Sequence, residues 1–252
     1  MTRPVTLITG ASAGLGAEFA RHCARRGEAL ALAARRRDRL EVLSDALEGE
    51  VHIFEADLAQ ADAAASLVDQ VEAEGLTIDT LINNAGFGLG GKFVRLPLER
   101  QREMIDLNVR TLTELCRLVL PGMVERGRGG ILNVASTAAF QAGPNMAVYY
   151  ATKAFVLSFT EALHHELKRT GVRVSALCPG PTRTEFFDVA GVSGSILARF
   201  ASEGSGVVSA GLRGLDRNKA IVIPGLTNKI SAGSSRFLPR AAMRRIVGAI
   251  KV

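Results

Sequence analysis

Tyr149 and Lys153 stand four residues apart in the run Tyr149-Tyr150-Ala151-Thr152-Lys153, and Ser136 lies thirteen residues before Tyr149. If this run is helical, Tyr149 and Lys153 share a face while Tyr150 points about 100° away. A phenol ionises near pH 10, so it moves protons poorly at neutral pH unless a nearby cation stabilises the phenolate. Lys153 is placed to be that cation, and a serine hydroxyl opposite could donate to a substrate oxygen that gains charge during reaction. The same residues also fit a blander pattern, a buried helix with one surface lysine beside a strand-end serine. A Tyr-x3-Lys pair alone does not separate the two.

The elements that must position these groups can be read on either side. Gly129-Gly130 and the apolar run 131–135 predict a buried strand with Ser136 at its carboxyl end, where open α/β sheets bind ligands. Phe155, Phe159, Leu163 and Leu167 then recur every four residues, the spacing of a helix with one buried stripe. Near the start, a strand over 5–9 runs into Gly10-Ala11-Ser12-Ala13-Gly14-Leu15-Gly16 and a helical pattern with Phe19, Ala20 and Cys23. Such a loop brings backbone N–H groups to a phosphate at the positive end of a helix. The same loop spells Gly10-x-Ser12-x-Gly14, the nucleophile elbow of α/β-hydrolases. That elbow needs an oxyanion donor from an earlier strand-helix loop, and only nine residues precede Gly10. Further strands over 29–34, 51–54, 80–82, 172–178 and 220–223 alternate with helices. They predict one doubly wound α/β domain over 1–252, a seven-stranded parallel sheet with helices on both faces. A long helix over 98–124 carries Asn108 in an apolar stretch, so its amide is expected to bond something.

Charge and composition remove several function classes. The net charge is +6, but residues 211–252 hold nine Lys/Arg and one acid, which leaves the first 210 residues at −2. This basic tail lacks the interleaved aromatics of a single-strand binder, so no nucleic-acid partner is expected. No apolar run reaches the roughly 18 residues of a membrane span, and the reading is a soluble, cytoplasmic protein without membrane attachment. The three cysteines are scattered, without a CxxC, as reduced buried thiols would be, and the four histidines show no metal spacing.

In chain order, Thr9-Gly10-x3-Gly14-x-Gly16, Asn83-Asn84-Ala85-Gly86, Asn108, Ser136 with Tyr149-x3-Lys153, and Pro179-Gly180 resemble the short-chain dehydrogenase/reductase family. The resemblance runs from Val5 to about Gly225 and implies an NADP(H)-dependent oxidoreductase acting on a carbonyl or secondary alcohol, as a homodimer or homotetramer. It implies a catalytic tetrad of Ser136, Tyr149, Lys153 and Asn108. Tyr149 would exchange the proton, and Lys153 would hold the nicotinamide ribose and lower the Tyr149 pKa. Ser136 would orient the substrate oxygen, and Asn108 would hold a water leading to Lys153. The cofactor would lie along Gly10, Ser12, Ala13, Gly14, Leu15 and Gly16, with Asp57 and Leu58 at the adenine. Asn84, Ala85 and Gly86 would lie beside it, and Pro179, Gly180, Thr182 and Thr184 would flank the nicotinamide. A nucleotide-binding sensor that keeps the fold without turnover is the other class the motifs allow.

Ala34 ends the second strand where an NAD-specific enzyme of this fold has an acid, and Arg35-Arg36-Arg37 follow. Arg35 and Arg36 are therefore expected to accommodate a 2′-phosphate and to favour NADPH, with Arg37 and Arg39 adding positive potential. The apolar, glycine- and serine-rich stretch 186–208 is expected to be a loop-like substrate lid, suited to a hydrophobic substrate. Residues 236–252 read as a basic amphipathic helix, expected to pack on its own domain or a partner subunit.

Overall fold

Every residue of Leu30–Ala34 (β2) and of Gly129–Val134 (β5) is buried, the pattern of parallel strands covered on both faces. The computed structural model describes residues 2–191, 201–235 and 237–249. Within them, β1 (Arg3–Thr9), β2, β3 (Val51–Glu55), β4 (Leu76–Asn83), β5, β6 (Val172–Leu177) and β7 (Ile221–Val222) form a seven-stranded sheet. The strand order is β3-β2-β1-β4-β5-β6-β7, and every pairing is parallel. The order reverses between β1 and β4, so the carboxyl ends carrying Thr9-Gly10 and Asn83 to Gly86 flank the switch point where such sheets bind ligands.

Consecutive strand residues feed opposite cores. Leu7, Leu81 and Ile131 pack with α3 (Ala63–Ala73), α5 (Leu112–Glu125) and α6 (Ala147–Glu166). Their neighbours Ile8, Ile82 and Leu132 pack with α1 (Gly14–Ala24), α2 (Arg37–Asp45) and Gly204–Asp216, which is α8. This alternation is the period of two that a strand imposes.

Three sequence expectations are altered. Strand β4 begins at Leu76, earlier than expected, because Leu76 to Ile78 pair with Arg3 to Val5. Its Thr77 and Asp79 broke the apolar run that marked 80–82. The long helix is interrupted: α4 (Leu98–Ile105) gives way to a π-helical turn, Asp106–Thr111, before α5. The lid also loses its end, for Val207 and Val208 are buried core residues of α8. The small residues there read as loop, yet Gly211 packs against Leu177 and Gly214 against Val222, close approaches that bring α8 onto the sheet. Of the remaining lid, Phe186–Val189 forms a short helix, α7, and 192–200 lie outside the described residues. The tail forms α9 (Leu226–Ser234) and α10 (Arg240–Ala249), the latter with Met243 and Val247 buried. Gly248 approaches Pro144, so this helix packs on its own domain, while Arg236, Ile250 and Lys251 lie outside the described residues.

Between sheet and helices runs a buried amide chain. Asn83 Nδ2 donates to Asn133 Oδ1 at 3.0 Å, and Asn133 Nδ2 donates to Thr160 Oγ1 of α6 at 3.0 Å. Asn133→Ala removes one bond from each neighbour at once, leaving Asn83 Nδ2 only Leu112 O and Cys116 Sγ and leaving Thr160 Oγ1 only Val156 O. Weakening buried polar pairs costs about 1–3 kcal/mol each. We expect a loss of about 3 kcal/mol in urea unfolding, against a smaller loss for Thr160→Val. Equal losses from the two would mean that the chain does not act as a unit.

Candidate active site

Ser136 follows β5 directly, and α6 carries Tyr149 and Lys153 on its buried face. The Ser136 hydroxyl accepts from Ala138 N at 3.1 Å and faces the Tyr149 phenol closely enough to act on its pKa. Lys153 Nζ donates to Val134 O at 2.8 Å and lies 5.9 Å from the Tyr149 ring centre. Tyr150 projects elsewhere, its ring edge-on to that of Tyr149 at 6.1 Å. Serine, phenol and ammonium therefore meet at the carboxyl end of β5.

Asn108 sits fully buried in the π-helical turn. Its Nδ2 donates to Phe87 O at 3.0 Å and to Thr152 Oγ1 at 3.1 Å, and its Oδ1 accepts from Phe87 N at 3.1 Å. Thr152 Oγ1 in turn donates to Tyr149 O at 2.7 Å. The Asn108 side chain is thus committed to the 85–87 loop and to α6. Gly86 touches this group: a methyl there would come within 2.8 Å of Asn108 Oδ1 and 3.5 Å of Lys153 Nζ.

The glycine loop is built for an anion. Gly10 has φ +66°, a conformation L side chains rarely adopt, and a Cβ on Gly16 would lie 2.1 Å from Gly10 O. Asn84 Nδ2 pins the turn through Thr9 O at 2.9 Å and Gly10 O at 3.3 Å, and Thr9 Oγ1 accepts from Asn84 N and Ala85 N. The cap of α1, Ala13, offers no side-chain acceptor, and its first turn holds no acid. Its leading N–H groups therefore face outward without a carboxylate partner, as an incoming phosphate needs. Leu15 packs into the core beneath. The residues present thus fit a dinucleotide. Ser12 is no nucleophile: its Oγ accepts from Arg36 Nε at 3.3 Å and Nη2 at 3.2 Å, and a guanidinium cannot act as its base.

The other expected contacts are placed less simply. Arg36, not Arg35, turns toward the glycine loop, whereas Arg35 is exposed at the end of β2. Asp57 caps its own turn, accepting from Ala59 N at 3.2 Å and Gln60 Nε2 at 3.2 Å. The Leu58 side chain is 3% exposed and part of the core, with its carbonyl accepting from Thr111 Oγ1 at 2.6 Å. Pro179 O accepts from Thr137 N at 2.8 Å, and Thr182 Oγ1 donates to Gly180 O at 3.0 Å. Thr184 Oγ1 accepts from Phe186 N at 3.2 Å, and Thr184 lies against Gly14. The feature missed in the sequence is Glu185, whose carboxylate binds both Arg36 and Arg39. Beside Tyr149 lies an apolar group that includes Met104, Ala138, Met146 and Ala190, with Phe87, Tyr150, Phe186 and Phe187 around it.

Residues 4–191 match the family model described as short chain dehydrogenase. A curated relative in Escherichia coli O157:H7, the NADP-dependent 3-hydroxy acid dehydrogenase YdfG, is 40% identical over 189 residues, 73% of this chain and 75% of its own. Among solved structures, a short-chain dehydrogenase from Sphingobium yanoikuyae in complex with NADPH superposes with TM-score 0.82 at 35% identity, over 98% of this chain and 96% of that one. The bulky-bulky ketone specific alcohol dehydrogenase from Comamonas testosteroni superposes with TM-score 0.78 at 31% identity, over 96% of this chain and 97% of its own.

Burial sets the protonation of the site. It pushes the Tyr149 phenol up to about 12, only partly offset by the hydrogen bond from Ser136. It pulls the Lys153 ammonium down to about 8. Lys153 is not among the groups that shift Tyr149 here; desolvation leads, and the phenol stays protonated at neutral pH. The chain contains two tyrosines and no tryptophan, so phenolate absorbance reports on Tyr149 and Tyr150 alone. The shift of both is upward, so the folded protein should show little phenolate at about pH 10, where a free tyrosine is half ionised. In Tyr150→Phe the signal should be Tyr149 alone, still well above the free phenol because burial, its leading cause, remains. A phenolate band appearing near neutral pH would mean that the ammonium outweighs burial.

Proposed function

Since the chain belongs to the short-chain dehydrogenase family and is an NADP-dependent oxidoreductase, we propose that it interconverts a carbonyl and its alcohol at Ser136, Tyr149 and Lys153. The observation that carries this is the meeting of Ser136, Tyr149 and Lys153 at the carboxyl end of β5, with the Lys153 ammonium anchored on Val134 O and 5.9 Å from the phenol ring. NADPH, bound along the glycine loop, supplies the hydride. In the reducing direction Tyr149 gives its proton to the substrate oxygen as that oxygen gains charge, and the raised phenol pKa keeps the proton on the ring until then. Ser136 donates a hydrogen bond to the same oxygen. Lys153, anchored on Val134 O, stabilises the phenolate left behind and would hold the nicotinamide ribose. Asn108 keeps α6 in phase with the 85–87 loop through Thr152.

Selectivity for the 2′-phosphate rests with Arg36 and Arg39 beside Ser12, since Ala34 puts no acid at the end of β2. The apolar group around Tyr149 supports a hydrophobic ketone, aldehyde or secondary alcohol as substrate. We assign the protein to the cytoplasm and to a homodimer or homotetramer. Among the described residues no helix is long and apolar enough to cross a membrane. Leu98, Ile105, Leu118, Val124 and Phe155 leave apolar surface exposed on α4 to α6, which supports assembly through those helices.

Tyr149→Phe should lower kcat for carbonyl reduction by about a hundredfold or more while NADPH affinity stays close to wild type. Tyr150→Phe should keep most turnover, and the reverse ranking would remove Tyr149 from the proton-transfer role. Ala34→Asp combined with Arg36→Ala should turn the ratio of NADPH to NADH dissociation constants toward NADH, measured at one ionic strength. A purely monomeric sedimentation profile would overturn the assembly assignment.

A further inference from the structure

Arg36 and Arg39 share one anion that belongs to the chain itself. Glu185 Oε2 lies 3.0 Å from both Nη1 and Nη2 of Arg36, and Glu185 Oε1 bonds Arg39 Nη1. Arg36 reaches the Ser12 hydroxyl with the same guanidinium. Ser12, Arg39 and Glu185 line a cleft of about 440 Å³ between the glycine loop and residues 183–185 and 203–205, and Arg36 reaches it through its bonds to Ser12 and Glu185. Arg39 and then Arg36 hold the Glu185 carboxyl below its ordinary range, so it stays anionic at neutral pH. Two guanidinium groups brought together, one of them on Ser12, repel each other without a counter-charge, and the carboxylate provides one when no phosphate does.

Glu185 also stands at the start of α7, one residue before Phe186. The Phe186 ring is tilted against the Tyr149 ring at 5.2 Å, and Phe186 N is tied to Thr184 Oγ1. The carboxylate on the arginines and the ring on the catalytic phenol therefore hang from adjacent positions of one short segment.

We propose that Glu185 is a resident competitor for the 2′-phosphate subsite. Its carboxylate sits on Arg36 and Arg39 in the free protein, and the phosphate of NADP(H) displaces it. A dianionic phosphate takes the guanidinium donors from a monoanionic carboxylate, and the freed Glu185 lets residues 184–191 shift relative to Tyr149. A cofactor without the phosphate leaves the Glu185 contacts closed. Glu185 therefore lowers affinity for the phosphorylated cofactor alone and reports its arrival to the substrate side. This rests on the reading that Arg36 and Arg39 receive that phosphate.

The test uses adenosine 2′,5′-bisphosphate and ADP as probes of the free protein, by calorimetry, with hydrogen exchange followed over 184–191. Wild type should bind the bisphosphate more tightly than ADP and show faster exchange in 184–191 with the bisphosphate only. Glu185→Gln should bind the bisphosphate about fivefold more tightly, leave ADP unchanged, and show the faster exchange before any ligand is added. If wild type prefers the bisphosphate but Glu185→Gln binds it no more tightly, the competitor role is overturned and the arginine subsite stands. If wild type does not distinguish the two probes, the arginine subsite itself is overturned, and the competitor with it.

Discussion

A buried amide inside a long helix must find partners, and the site is arranged around how Asn108 finds them. Regular α-helical geometry offers such a side chain little beyond its own backbone. The π-helical turn at Asp106–Thr111 instead accompanies an Asn108 side chain bonded to both the N–H and the carbonyl of Phe87, and to Thr152. Those bonds connect three elements that share no sequence proximity: the loop after β4, the α4 to α5 helix and α6. Thr152 passes the connection to the Tyr149 carbonyl, so the rotation of α6 about its axis is tied to the loop beside the cofactor cradle. The same turn sends Thr111 to the Leu58 carbonyl and Arg110 to the Ala59 and Gln60 carbonyls. One irregular turn thus serves both the catalytic helix and the loop after β3.

The electrostatics follow from where this packing puts the groups. Burial favours the neutral form of each ionisable side chain, which raises a phenol and lowers an ammonium. In Tyr149 and Lys153 the two shifts converge, leaving a protonated acid beside a cation that titrates near about 8. That is a ground state prepared for proton donation, with the nearby cation stabilising the phenolate only after the proton has left. The three cysteines do not compete for this role, since burial raises all three thiols and keeps them protonated.

What could be read in advance was what repeats or clusters locally. Tyr149-x3-Lys153, the glycine spacing and the alternation of strands with helices are short-range patterns, and each appears in the structure at its expected place. Asn108 was conspicuous as a polar residue in an apolar stretch, although the π-turn and the partners were not deducible from it. Glu185 could not be found this way, because its partner Arg36 lies 149 positions earlier and nothing local marks the pair. Arg35 and Arg36 both follow from position alone, and which of them turns toward the glycine loop depends on neighbours that only the fold supplies. Helix α8 was hidden by its own glycines, which read as loop until the facing Leu177 and Val222 explain them.

The chain between β6 and α8 leaves and re-enters the fold through one narrow neck. Thr182 and Ser202 form an isolated parallel bridge, with Ser202 N donating to Pro181 O at 2.9 Å and Arg183 N to Ser202 O at 3.0 Å. A segment whose two ends are clamped together outside the sheet can change in length with little effect on what lies below the clamp. Each doubling of a flexible loop adds only about 0.6 kcal/mol of closure entropy. Sequence drift beyond this neck therefore weighs little on the sheet below it, while Glu185, Phe186 and Ala190 keep its first turn fastened to the site. In evolutionary terms, the same sheet and proton-transfer group could be fitted with a succession of different substrate-facing segments, exchanged as cassettes at Thr182 and Ser202.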